Sequence, residues 1–174
     1  MTENLKQLLT AQFEAALSML EDCVETCPPD HWEGIIGKYP FWHVAYHALC
    51  YVDLYLSPDE TGFHPHAMHP QGWAEYEAEY PSRMFKKKEI LSYIELCRQK
   101  AVDNLAAETT ESLQGGSGHK RRKFSRTEMH VYNLRHLQHH VGQLSAHIRR
   151  IAPQLQEMNV MPWIGSGRPT AKSA

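Results

Sequence analysis

Apolar side chains recur at three- and four-residue steps in four stretches of the chain, the spacing that gathers them on one face of a helix. Leu5, Leu8, Leu9, Phe13, Ala16, Leu17, Leu20 and Val24 predict a first helix over about 2–26. Cys27-Pro28-Pro29-Asp30 stops it, because proline lacks the donor that a helix interior needs. A short connection follows, carrying His31, Trp32 and Gly37. Pro40 opens a second helix over about 40–56, with Phe41, Val44, Ala45, Ala48, Leu49, Val52 and Leu56 on its buried side, and Ser57-Pro58 closes it. A third helix runs over about 87–107, with Ile90, Leu91, Ile94, Cys97, Ala101, Val102 and Leu105 inward. In the fourth, about 125–151, Leu134, Leu137, Val141, Leu144, Ile148 and Ile151 alternate by three and four, a coiled-coil-like seam. No stretch shows the alternation of a β-strand. Four long amphipathic helices in 174 residues predict an all-α four-helix bundle. It forms a single domain over 1–165, and the small and polar 166–174 is expected to be a disordered tail.

Two connections stand out. Residues 58–86 are rich in proline, histidine, aromatic and acidic residues, and a segment this long between helices is often functional. It is expected to hold a short helix near 72–79 and to cover a cleft, with Trp73, Tyr76 and Tyr80 as apolar lining. Its histidines, His64, His66 and His69, are expected to be solvated. The second connection, Gly115-Gly116-Ser117-Gly118 followed by His119, Lys120, Arg121, Arg122, Lys123 and then Arg126, is read as a flexible, solvated basic loop. The formal charge of −2 argues against a general nucleic-acid binder, so nucleic acid is not an expected partner.

Cys23, Cys27, Cys50 and Cys97 form no C-x-x-C pair, and the first helix is too polar for a secretory segment. The expectation is a reduced, cytoplasmic protein with buried thiols. No apolar run reaches the roughly 18 residues of a membrane span, so no membrane partner is expected.

Twelve histidines change the picture most. His43 and His47 lie four apart in the second helix, and His136 and His140 four apart in the fourth, so each pair projects from one helix face. At about 100° per residue, His140 and His136 flank Leu137 on the same side of the apolar seam, where a side chain can reach a cleft between helices. His139 points away and is expected to be solvated. Three neutral imidazoles with one open position suit a catalytic type of zinc site, and imidazole also suits nickel, iron or copper. No E-x-x-H carboxylate pair argues against a di-iron centre, and no H-E-x-x-H against a zincin-type protease.

The order of these features resembles the DinB/YfiT-like family of metal-dependent proteins over about 3–165. The resemblance is carried by His47 six residues before Asp53, by the run His136-Leu137-Gln138-His139-His140-Val141-Gly142-Gln143, and by the closing Pro162-Trp163-Ile164-Gly165. It implies an up-up-down-down order of helices, a tendency to form homodimers, and a site in which His47, His136 and His140 hold a divalent transition metal, zinc or nickel. It also implies a small-molecule substrate, with a thiol as one class, because assigned members include thiol-dependent transferases and isomerases. The expected function is therefore a metal-dependent enzyme, either a hydrolase or a transferase of low-molecular-weight thiols. The alternative is a non-catalytic metal- or ligand-binding module. Many members carry Arg where this chain has Val141, so that arginine's role does not transfer.

The remaining candidates have modest expectations. His43 becomes a surface or packing residue at the helix start, Gln143 a packing or surface residue with steadying a ligand or orienting water as its alternative role, and His147 a polar wall of the cavity. Asp53 is read as solvated or capping, and no catalytic residue is assigned. Metal affinity should fall below about pH 6.5, where free imidazole takes up a proton.

Overall fold

Helix boundaries follow local chemistry. The computed structural model describes residues 2–152 and Gln154. Helix α1 (Thr2–Thr26) ends just before Pro28-Pro29, and a 3-10 turn (Pro29–His31) follows. Strands β1 (Ile35–Ile36) and β2 (Tyr39–Pro40) pair antiparallel, Ile35 opposite Pro40 and Ile36 opposite Tyr39, around Gly37 at φ +62°. Helix α2 (Phe41–Leu56) stops at Ser57, which is extended because it precedes Pro58. A single turn, α3 (Ala74–Glu77), interrupts the long connection. Helix α4 (Lys87–Ala107) starts where Glu89 accepts a bond from the Lys86 N–H at 2.9 Å. Short α5 (Thr110–Gln114) precedes α6 (Arg126–Ile151). Ser125 and Glu128 bond reciprocally at the start of α6, at 3.2 and 2.9 Å, a cap worth about 1 kcal/mol.

The fold is all-α. Among the described residues, the only strands named are the two-residue pair, and the core lies between the long helices. α1 packs against α4 and α6, and α2 packs against the same two. Phe13, Leu17, Leu49, Ile94, Leu137 and Leu144 belong to one buried cluster. Helix α2 is buried almost all round, consistent with α3 and the 58–86 connection covering its outer side. No helix of the described residues is long and apolar enough to cross a membrane. All four cysteines are free and buried.

Several expectations are corrected. Leu8 is 57% exposed and Val102 44% exposed. Both sit roughly 100–120° around their helices from the middle of the buried arc, beyond the reach of the core. The hairpin β1–β2 and helix α5 were not expected, since two-residue strands and a five-residue helix carry no readable period. The basic loop is not simply solvated. His119 is buried, the Glu60 N–H bonds the Gly118 carbonyl at 3.2 Å, and a Cβ on Gly118 (φ +78°) would meet the Pro58 carbonyl oxygen at 2.0 Å. Arg126 leaves the basic cluster altogether. It is buried, with Glu108 at 2.7 Å and the carbonyls of Tyr55 and Leu56 at 3.0 and 2.7 Å. The proposed tail 166–174 and the Pro162–Gly165 run lie outside the described residues.

Candidate metal centre

Helices α2 and α6 pack side by side, and their facing edges carry His47 from one and His136 and His140 from the other. The three rings converge: His47 lies 5.4 Å from His136 and 4.9 Å from His140, centroid to centroid, and the α6 pair is 4.6 Å apart. One ring nitrogen from each lies within 4.8 Å of the others, so the trio could hold a metal ion. His136 Nε2 and His140 Nε2 are 3.2 Å apart. Nitrogens bound to one zinc at roughly 2.0–2.1 Å with tetrahedral angles lie about 3.3 Å apart, so this edge is already at ligand spacing.

Protonation favours the same use. Burial, with the neighbouring imidazoles His140 and His43 adding to it, pushes the pKa of His47 down to about 4. Burial, then His140 and His47, pushes His136 down to about 3. Burial also lowers His140, against the bond to Gln143, which raises it. At neutral pH all three offer lone pairs, the state in which imidazole ligates. His140 Nδ1 lies 2.9 Å from Gln143 Oε1. A carbonyl oxygen only accepts, so Nδ1 carries the proton and Nε2 is left as the donor to a metal. Gln143 thus bonds a member of the trio rather than serving only as a packing or surface residue. The donor set and its spacing fit a divalent transition metal of the zinc type.

His47, His140 and Gln143 open onto a cavity of about 430 Å³. Its walls come from α2, from the hairpin β1–β2 and from α3 with the residues just after it. The long connection therefore does form a wall, through Glu75, Tyr76, Ala78 and Glu79. Tyr51 stands one turn after His47, with its ring 4.8 Å from His47 and 5.2 Å from His136, and it also lines the cavity. The i, i+4 spacing of His47 and Tyr51 was a signal in the sequence that went unused.

Other candidates go elsewhere. His43 is buried between Tyr39, Trp42 and Tyr80 and lines the cavity apart from the trio, so of the two expected places, surface or packing, it takes the packed one. His147 does not form the cavity wall. It is buried beside Gly34 and Phe41, with its Nδ1 3.0 Å from Arg150. His64 and His66 are exposed, as expected, but His69 is buried, because its Nδ1 meets the Tyr46 hydroxyl at 2.7 Å. His139 is exposed and Val141 is a core residue. Tyr76 lines the cavity, whereas Trp73 packs on Phe63 and Tyr80 lies tilted against His43, neither of them lining it.

Asp53 is neither solvated nor capping. It is 3% exposed, with Lys100 at 2.5 Å on one oxygen and the hydroxyls of Tyr93 and Tyr76 at 2.9 and 3.2 Å on the other. Six residues turn it about 120° around α2 from His47, toward α4 and away from the trio. No protein-family model, curated protein or solved structure matches the chain.

Proposed function

We propose that this chain is a DinB/YfiT-like four-helix bundle in up-up-down-down order whose His47, His136 and His140 hold zinc or nickel. We propose further that it is a metal-dependent enzyme for a small molecule bound in the adjoining cavity. The observation that carries the reading is the convergence of three neutral imidazoles from two helices, two of which, His47 and His140, line the adjoining cavity.

A divalent ion held there would supply Lewis acidity toward a thiol, water or carbonyl oxygen. The chain's own residues do the rest. Gln143 fixes the tautomer of His140. Tyr51 closes the side of the trio next to His47 and His136. The tyrosine-rich walls limit water around the reacting group. The three-histidine set includes no carboxylate among the described residues. Such an ion would lower the pKa of a bound water to about 7 and would deprotonate a bound thiol outright, so the site serves either hydrolysis or transfer of a low-molecular-weight thiol.

The test is metal analysis of protein purified without chelators or an affinity tag, joined to turnover assays on thiol-acceptor and ester panels. The expected result is near one zinc or nickel per chain and turnover, in the thiol or the ester panel, that His140→Ala abolishes. A metal-free protein would overturn the reading. Full metal loading with no turnover in either panel would leave a binding module in its place.

A further inference from the structure

The cavity has a charge its metal ligands do not explain. Glu75 is 4% exposed and lines the space. Its two oxygens accept from Ser82, the N–H at 2.9 Å and the hydroxyl at 2.5 Å. An ionised carboxylate has about four acceptor sites, so each oxygen keeps one in reserve. Among the described residues Glu75 has no ion-pair partner. A buried charge left without an opposite charge is costly, and the usual remedy is a partner that arrives with a ligand.

The other charged lining residues do not supply that partner. Lys38 sits at the exposed rim and is held by Glu79. With the imidazoles neutral and no metal bound, the wall carries two carboxylates against one ammonium; a divalent ion on the trio would turn that balance positive, so the preference for a cation is strongest in the metal-free protein.

The rest of the wall suits a cation as well. Tyr39, Tyr46 and Tyr76 line the space, but their hydroxyls are engaged elsewhere: Tyr39 with Glu79 at 3.2 Å, Tyr46 with His69 at 2.7 Å, and Tyr76 with Tyr93 at 3.0 Å. What they offer the cavity is ring carbon. Aromatic rings around a buried negative charge are the arrangement that recognises ammonium groups, because the ring quadrupole and the carboxylate attract the same sign. At about 430 Å³ the space lies at the lower end of the usual range for small-molecule sites.

From Glu75 and these rings we infer that the cavity takes a small organic cation, an amine or quaternary ammonium compound, with its charged end at Glu75. This rests on the cavity being the substrate site proposed above, but not on the metal.

Choline and 3,3-dimethylbutan-1-ol have the same shape and differ in charge, so they serve as the probe pair. Their binding is measured by calorimetry on the protein as purified and after chelator treatment. Choline should bind at least about tenfold more tightly than the alcohol after chelator treatment, with a smaller preference in protein that retains its metal. Glu75→Gln should reduce that preference to about twofold or less, with folding checked by its thermal midpoint. Should that variant unfold, Glu79→Gln, at an exposed position, serves instead. It frees the Lys38 ammonium at the rim and should weaken choline several-fold while leaving the alcohol unchanged. Equal binding of the two probes, tighter binding of the alcohol, or no binding of either at tens of millimolar would overturn the inference. A choline preference in protein that carries no metal as purified would sink the metal reading and keep this one. Full metal loading as purified, with no preference after chelation, would do the reverse.

Discussion

One hydrogen bond at the end of a side chain decides how His140 presents itself. With Gln143 accepting from Nδ1, the ring cannot rotate or change tautomer without losing that bond. Replacing Gln143 with Leu should lower metal affinity about 10- to 100-fold and leave helicity unchanged, as read by competition with a chromogenic chelator and by circular dichroism. An unchanged affinity would show that the bond steadies nothing. Proton competition follows from the same residues. The expectation from free imidazole places the loss of metal near pH 6.5. In the fold, His47 and His136 are pushed down to about 4 and 3, chiefly by burial, so affinity should hold from pH 7 to about 5 and fall steeply below. Metal titrations at half-unit steps of pH will show which window applies. The metal-free protein should lose stability over the range from about 6.5 to 4, because there the unfolded chain takes up protons that the folded chain refuses. Urea midpoints that stay flat across that range would contradict the half-buried, neutral state of these rings.

Arg126 shows what an element end requires. The last carbonyls of α2 have no partners within the helix, and Arg126 donates to those of Tyr55 and Leu56 while pairing with Glu108. His130 and Ser112 also bond Glu108, which holds the Glu108 carboxyl at about 2 although burial pushes it up. One guanidinium thus joins the end of α2, the segment before α5 and the start of α6. Arg126→Ala should cost about 3–5 kcal/mol, since it strands a partly buried carboxylate and two carbonyls. Urea unfolding that gives less than about 1 kcal/mol would make the cluster ornamental. No periodicity announced this junction, because Arg126 reads in sequence as one more member of a basic run. The long helices were legible down to their ends, since Pro28, Pro58 and the Ser125–Glu128 pair act within a few residues of the boundary. Hairpin and α5 were not, because their stability comes from what they pack on rather than from a repeat. At the site, the α6 histidines were visible from spacing. The choice of His47 over His43 needed the family resemblance, and Glu75 needed the fold, because the segment that carries it reaches the cavity only through tertiary packing.

Across the whole molecule the proposed ligands come from α2 and α6 alone, whereas the apolar core draws on α1 and α4 as well. Metal should therefore add to a fold that already stands. His140→Ala should lose the metal and keep its far-ultraviolet spectrum. The wild type should gain thermal stability with each rise in free zinc above its dissociation constant, by about 2.7 kcal/mol at a hundredfold excess. Hydrogen exchange should slow on metal binding along α2 and α6 and stay constant in the part of α1 that faces α4. Collapse of the secondary structure in His140→Ala would mean that the imidazoles, rather than the apolar seam, hold the helices together. The close passage of Gly118 over Pro58 has its own reach. It moors the root of the loop that walls the cavity to the turn leading into α6, so lengthening either stretch in a redesigned variant would drag the other along. Evolution or engineering of one mouth of this pocket is thereby harnessed to a strand of chain some sixty residues downstream.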